Sequence, residues 1–117
     1  MACDVNYTDE FEEWWDDLTI DEQRDVTACV GLLEELGVKL KFPQTSNVES
    51  SRHGGMRELR IQSKGKPYRV FYAFDPRREA VLLIGAVKLD GRFYDEYVPI
   101  ADKLFDNYLI ELKNEES

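Results

Sequence analysis

The sequence predicts a single α+β domain in which a helical hairpin and a C-terminal helix pack on a small antiparallel sheet. Two observations lead to this fold class. Apolar residues recur at helical spacing near both ends of the chain, and from about residue 56 to residue 88 the period changes to the two-residue alternation of strands. The chain has 117 residues, the size of one domain, and 43% of them are hydrophobic, which is enough for a core. The expected order of elements along this single domain, residues 1–117, is β-α-α-β-β-β-α.

The N-terminal third predicts an edge strand followed by the helical hairpin. Residues 4–7 form the expected strand, and the next helix carries apolar residues at spacings of three and four: Phe11, Trp14, Trp15 and Leu18. We expect both tryptophans in the core. Thr19 and Glu22 have the spacing of a capping box at the start of the second helix, and Gly37 is expected to end that helix.

The middle of the chain predicts an antiparallel meander. Residues 39–55 are polar, contain a proline and a glycine pair, and are expected to form a connecting loop. Three strands then follow, at residues 56–63, 68–74 and 80–88, joined by short turns. The third is almost continuously apolar, which indicates a central strand covered on both faces. Pro99 is expected in the first turn of the C-terminal helix.

The net charge of −9 conceals a strong asymmetry along the chain. Residues 1–38 carry twelve acidic side chains and one basic, whereas residues 39–92 carry twelve basic and five acidic. Residues 93–117 return to seven acidic and two basic. A basic middle between acidic ends fits a surface that faces a polyanion, and it equally fits acidic helices that pair with a basic sheet.

Several classes of function lack their sequence signature. The single histidine and the absence of paired Cys/His spacing argue against a zinc site, and no phosphate-binding or dinucleotide-binding glycine motif occurs. We therefore expect no metal and no cofactor. The N-terminus has no signal-peptide pattern and no apolar run is long enough for a membrane helix, so a cytoplasmic protein without a membrane partner is expected.

Strand parity brings two arginines together. Leu59 and Ile61 are expected to face the core, so Arg60 projects to the opposite face of the sheet. In an antiparallel hairpin Arg69 would stand beside Arg60 on that face, which we expect to be open. Like charges held together favour an anion between them. Phosphate is such an anion, since its oxygens accept two parallel hydrogen bonds from a guanidinium group. The alternative is that Arg60 pairs with Glu58 or with an acidic residue of the helices.

Three segments carry a more specific pattern: MRELRI at 56–61, GKPYRVFYAFDPRREAVLLIGAVK at 65–88 and RFYDEYVPIADKLFDNYL at 92–109. They resemble the phage-derived, HigB-like branch of the RelE/ParE toxin superfamily, most specifically in the YRVFYAFDPRR block. The N-terminal FEEWWDDL and the capped second helix are also typical of that branch. The resemblance implies a RelE-like fold.

The resemblance also implies the toxin of a type II toxin–antitoxin pair. Relatives cleave messenger RNA without a metal, usually on the ribosome, and are silenced by a cognate antitoxin with a helix-turn-helix domain. By the family pattern, Arg69 would hold the scissile phosphate with Arg60 beside it, and Lys88 and Tyr94 would supply a basic and an aromatic group. Five further residues are predicted to bind RNA: His53, Arg57, Arg77, Arg78 and Arg92.

The general base and the activity itself remain open at this point. The loop after the last strand carries Leu89 and Asp90 where relatives often carry basic residues, and it has no histidine. Lys88, Tyr94 and Glu58 are all candidates for the base. The alternatives to a nuclease are a non-catalytic, ParE-like inhibitor of DNA gyrase and a degenerate prophage domain that binds only its antitoxin. Burial of Arg69 against a helix carboxylate would favour these alternatives.

Overall fold

The computed structural model describes residues 3–116, so that residues 1, 2 and 117 of the predicted domain lie outside the described part. The strands are β1 (Val5–Tyr7), β2 (Thr45–Asn47), β3 (Arg57–Ser63), β4 (Lys66–Phe74) and β5 (Ala80–Val87). The helices are α1 (Asp9–Asp16), α2 (Ile20–Leu36) and α3 (Phe93–Glu116), with a short 3₁₀ turn, Gly37–Lys39, after α2. The predicted α+β class and the three meander strands are confirmed.

The five strands form one sheet in the order β1-β5-β4-β3-β2. Neighbouring strands from β2 to β5 are antiparallel, whereas β1 pairs in parallel with β5, so the sheet is mixed rather than wholly antiparallel. The strand β2 lies inside the segment 39–55 that was expected to be a loop. Its three residues, TSN, have no apolar alternation, and only pairing with β3 makes them a strand.

Helices cover both faces of the sheet. On one face α1 and α2 pack on a core formed by Phe11, Val26, Leu33, Leu59, Val70 and Leu82, among others. On the other face α3 packs on Phe71, Val81 and Leu83 through Phe93, Val98, Ala101 and Phe105. The sheet is therefore the middle layer of three, and any site on it must lie where a helix leaves the sheet uncovered.

The C-terminal helix begins earlier than expected. It starts at Phe93, and Pro99 lies inside it rather than in its first turn. Phe93 and Val98 are buried against the sheet, and Pro99 is exposed. Burial of these apolar side chains therefore fixes the start of the helix, and the proline is tolerated on the solvent side.

The start of α2 forms as the sequence predicts. The Thr19 hydroxyl accepts a hydrogen bond from the Glu22 backbone N–H, and the Glu22 carboxylate accepts from the Thr19 backbone N–H, completing the capping box. Glu22 also accepts a hydrogen bond from the Tyr68 hydroxyl on β4, which lowers the pKa of Glu22 to about 2. Trp14 and Trp15 are half-buried against the core, with the Trp14 indole lying directly on Gly85 of β5.

Candidate functional site

The register of the sheet brings the two predicted arginines side by side. Arg60 on β3 pairs directly with Arg69 on β4, and Leu59 and Ile61 lie in the core beneath α1 and α2. The parity prediction is therefore confirmed. The expected openness of this face is wrong at Arg69, which is only 6% exposed, because Tyr94 at the start of α3 reaches over the same surface. The side chain of Arg60 is 32% exposed.

One carboxylate lies at the centre of the site. Glu58 is 3% exposed and accepts hydrogen bonds from the Tyr94 hydroxyl, at 2.9 and 3.0 Å to its two oxygens. The Ser46 hydroxyl donates to Glu58 Oε2 at 2.7 Å. On the same carboxylate, Arg60 Nη1 lies 3.7 Å from Oε2 and Arg69 Nε lies 3.9 Å from Oε1. The cluster of Glu58, Arg60, Arg69, Lys88 and Tyr94 is called the arginine site below.

Arg69 has unused hydrogen-bonding capacity. Its Nη1 donates to the Tyr68 carbonyl at 3.0 Å, but its buried Nε has no hydrogen-bond partner among residues 3–116. The 3.9 Å separation from Glu58 is an ion pair and is too long for a hydrogen bond. A buried donor without an acceptor is destabilising by about 1–3 kcal/mol. The carboxylate that faces Arg69 belongs to the neighbouring strand and not to a helix.

Lys88 and Tyr94 complete the arginine site. The Lys88 Nζ lies 5.1 Å from the centroid of the Tyr94 ring, which is a cation–π contact. Burial raises the pKa of Tyr94, and the negative charge of Glu58 raises it further, so the phenol is protonated at neutral pH and donates to Glu58. Three of the four residues predicted as catalytic thus surround the Glu58 carboxylate, and Lys88 joins them through the Tyr94 ring.

Three of the predicted RNA-binding residues lie away from the arginine site. Arg57 projects to the opposite face of the sheet, where its Nε donates to the Tyr72 hydroxyl at 3.3 Å. Arg77 lies in the β4–β5 turn, 3.2 Å from the Asp75 carboxylate, and Arg78 is exposed in the same turn. At about 3.3 Å per residue, this turn is roughly 20 Å along β4 from Arg69.

Of the other two predicted RNA-binding residues, His53 also lies away from the arginine site and Arg92 does not. His53 is held by α3, with its Nε2 2.8 Å from Asp106 Oδ1 and its ring on Phe105. Asp106 comes twelve residues after Tyr94, which corresponds to about 18 Å along the helix. Arg92 is exposed and precedes Tyr94 of the arginine site by two residues in the sequence.

The contact between Ser46 and Glu58 was not predicted from the sequence. Ser46 reaches Glu58 because β2 pairs with β3 in a register that opposes the two residues. No periodicity marks β2, so only a pairing signal between distant segments could have found it. Within the described residues, no group of three or more His, Cys, Asp or Glu side chains is arranged to hold a metal ion. None of the helices in residues 3–116 is long and apolar enough to cross a membrane.

The fold defines the class of the protein. The crystal structure of the isolated E. coli RelE toxin superposes with a TM-score of 0.59, covering 84% of this chain and 97% of that chain at 11% sequence identity. At that level of identity the likeness concerns the fold. The three-layer arrangement described above is therefore the RelE fold.

The sequence defines the family. Residues 13–106 match the model of the phage-derived, Gp49-like protein family, and the chain belongs to that family. A Mycobacterium tuberculosis protein provisionally named toxin HigB3 is 39% identical over 100 residues, covering 84% of this chain and 86% of that protein. A second one, provisionally named toxin HigB2, is 35% identical over 122 residues, covering 97% of this chain and 60% of that protein. The predicted position in the HigB-like branch of the RelE-like toxin superfamily is confirmed.

Proposed function

We propose that this protein is the toxin of a type II toxin–antitoxin pair and that it cleaves messenger RNA without a metal, in the cytoplasm and on the ribosome. Family membership and the names of the relatives support the toxin. The observation that supports the nuclease is the Arg69 Nε, a buried cationic donor without an acceptor in the described part of the chain, beside the partly exposed Arg60. A phosphate between these two guanidinium groups would supply the missing acceptor.

The proposed reaction uses the 2′-hydroxyl of the RNA as the nucleophile. The 2′-oxygen forms a bond to the adjacent phosphorus and the bond from phosphorus to the 5′-oxygen breaks, giving a 2′,3′-cyclic phosphate and a 5′-hydroxyl. Arg60 and Arg69 stabilise the charge that develops on the phosphate oxygens. Positioning of the 2′-oxygen in line with the leaving group supplies the remaining acceleration.

Proton transfer is assigned to Glu58 and Lys88. Glu58 is the carboxylate of the arginine site and accepts the proton of the 2′-hydroxyl. The Lys88 ammonium, held over the Tyr94 ring, donates a proton to the departing 5′-oxygen. Tyr94 keeps its own proton because its pKa is raised, and it orients Glu58 by sharing its one hydroxyl proton between the two carboxylate oxygens.

The proposed partners are a cognate helix-turn-helix antitoxin and ribosome-bound messenger RNA. The net charge of −9 opposes the binding of free RNA to a small basic cluster. A ribosome that holds the message near the arginine site would raise the effective concentration of the scissile phosphate and offset this repulsion.

The competing hypothesis is a protein that only binds, either as a ParE-like inhibitor or as a degenerate prophage domain paired with an antitoxin. One observation favours it: Arg69 is only 6% exposed and already faces the Glu58 carboxylate. A phosphate must therefore displace or share that ion pair.

Inducible expression with mapping of messenger RNA 5′ ends separates these hypotheses. We expect new 5′ ends with the wild type, none with Arg69→Ala and fewer with Arg60→Ala, because each change removes a phosphate contact. Arg24→Ala is the matched control, since Arg24 is exposed on α2, where it forms an ion pair with Asp21. Because Arg69 is buried, circular dichroism of each purified variant confirms that it is folded.

Growth arrest with intact messages would instead identify a binding inhibitor. Absence of both growth arrest and cleavage, with a stable complex between the protein and the product of a neighbouring gene, would identify a degenerate domain.

A further inference from the structure

Phe42 is an aromatic residue that lies outside both hydrophobic cores. The residue is 70% exposed, whereas Phe11, Phe71, Phe93 and Phe105 are buried. It lies in the segment between the 3₁₀ turn and β2, next to the edge of the sheet. The ring is therefore left on the surface beside the arginine site rather than in the core.

The backbone holds Phe42 in position from both sides. Leu40, two residues earlier, is buried at 3% exposure in the core beneath α2. Two residues later, the Gln44 carbonyl accepts a hydrogen bond from the Arg60 backbone N–H at 2.9 Å. The ring is therefore presented at a fixed place on the rim of the arginine site.

The ring joins the arginine site through Arg60. The guanidinium carbon Cζ of Arg60 lies 5.3 Å from the centroid of the Phe42 ring, which is a cation–π contact. The same guanidinium lies 3.7 Å from Glu58 and stands beside Arg69 across the strand pair. Three groups therefore lie next to one another: the exposed ring of Phe42, the guanidinium of Arg60 and the buried guanidinium of Arg69.

We propose that Phe42 is a stacking platform for an unpaired nucleobase next to the phosphate held by Arg60 and Arg69. This inference rests on the proposed function and names the form of the substrate, which is single-stranded RNA with one base unstacked. Single-stranded nucleic acid is bound by basic grooves that carry aromatic rings, with added cation–π stabilisation from arginine. Stacking uses the face of a base and not its hydrogen-bonding edge, so Phe42 accepts any of the four bases.

The test uses purified full-length protein and a single-stranded RNA oligonucleotide with 2′-O-methyl groups, which cannot be cleaved by 2′-hydroxyl attack. Binding is measured by fluorescence anisotropy of a labelled end. We expect Phe42→Ala to weaken binding about 5- to 150-fold, the effect of losing one base–aromatic stack. Phe42→Trp is expected to retain the affinity of the wild type. The matched control is Ile20→Ala, since Ile20 is as exposed as Phe42 but begins α2 on the opposite face.

Two further probes separate stacking from other contributions. Phe42→Leu keeps an apolar side chain without a ring, and we expect it to bind as weakly as Phe42→Ala. An oligonucleotide of the same length made of abasic ribose phosphates is expected to bind wild type and Phe42→Ala equally, because it has no base to stack.

The outcomes are distinct. Equal affinity of wild type and Phe42→Ala for the RNA oligonucleotide would overturn the platform and leave the proposed nuclease intact. Full recovery with Phe42→Leu would overturn stacking in favour of a general apolar contact. No binding of the RNA oligonucleotide by the wild type would also overturn the platform, and mapped 5′ ends in cells would then decide the nuclease separately.

Discussion

Glu58 links the stability of the fold with the proposed chemistry. A buried carboxylate is tolerated only when its charge is paired and its oxygens accept hydrogen bonds, and Glu58 has both. Tyr94 and Ser46 donate to it, and Arg60 and Arg69 supply the opposite charge. The same carboxylate is therefore fixed in orientation, as a proton acceptor next to a bound phosphate has to be.

Glu58→Gln tests the proposed base without changing the shape of the side chain. The amide oxygen can still accept from Tyr94, but the negative charge and the proton-accepting group are lost. We expect cleavage to fall by about 10²–10⁴-fold, the usual contribution of general acid–base catalysis. RNA binding should be unchanged or tighter, because a negative charge beside Arg69 has been removed.

Single-turnover cleavage of a ribosome-bound message and anisotropy with a non-cleavable RNA measure these two effects. Glu12→Gln, an exposed change on α1, is the control. An unchanged cleavage rate in Glu58→Gln would exclude Glu58 as the base.

At this scale the sequence predicted the pairing of side chains along strands but not the contacts between elements. Parity alone placed Arg60 and Arg69 side by side, because the alternation of strands is local. The contact between Tyr94 and Glu58 depends on where α3 begins, and burial of Phe93 fixes that position. Burial of Arg69 could not be predicted, because it follows from how α3 covers the sheet.

At the scale of elements, one of the contacts between α1 and β5 is especially close. The Trp14 indole occupies the space that a side chain would need at Gly85, and a Cβ there would lie 2.4 Å from the Trp14 Cζ3. Gly85 is opposite Val70, the residue after Arg69, so this contact supports the sheet directly behind the arginine site.

Gly85→Ala is therefore expected to destabilise the protein. The added methyl group must displace a rigid indole or the strand, at a cost of about 1–3 kcal/mol in the free energy of unfolding. Chemical denaturation followed by circular dichroism measures the change. Gly31→Ala is the control, because a Cβ at Gly31 on α2 meets nothing within 4 Å.

A second variant identifies the cause. Trp14→Leu should itself be destabilising, yet it should reduce the penalty of Gly85→Ala in the double variant, because the two residues compete for one space. Strict additivity of the two changes would contradict the contact as the origin of the effect.

The capped helices and the meander could be predicted because their signals are local: a capping residue, a turn, an alternation. The strands β1 and β2 have three residues each. β1 pairs with β5, far along the chain, and β2 has no apolar alternation of its own. Neither the parallel direction of β1 nor the existence of β2 is encoded in so short a segment. Both follow from the sheet edges that the meander offers.

At the scale of the whole molecule, the basic residues of the middle region fall into two groups. Some basic residues of the middle region pair with carboxylates, as Arg52 does with Asp106 on α3 and Arg77 does with Asp75. Arg60, Arg69 and Lys88 lie on one surface of the sheet, where the two arginines share the single carboxylate of Glu58.

The salt dependence of RNA binding tests how many of these cations meet phosphate. Each neutralised phosphate of a single strand contributes about −0.7 to the slope of log affinity against log salt concentration. If Arg60, Arg69 and Lys88 each contact one phosphate, the expected slope is about −2. Arg60→Gln should reduce its magnitude by about 0.7, whereas Arg24→Gln should leave it unchanged.

A slope near zero, or the same slope in Arg60→Gln and the wild type, would show that the arginine site does not bind the backbone. Titration of the non-cleavable oligonucleotide at several salt concentrations provides the measurement.

The mutual burial of Glu58 and Arg69 has a consequence for the evolution of this sequence. Removing either partner leaves an uncompensated buried charge, which typically costs about 3–5 kcal/mol and a large part of the stability of a small domain. Arg60 and Lys88 are partly exposed and can be lost with little effect on folding. Homologues that lose the proposed toxic activity but remain folded should therefore accumulate changes at Arg60 and Lys88. The same inactive homologues should still carry the Glu58–Arg69 pair.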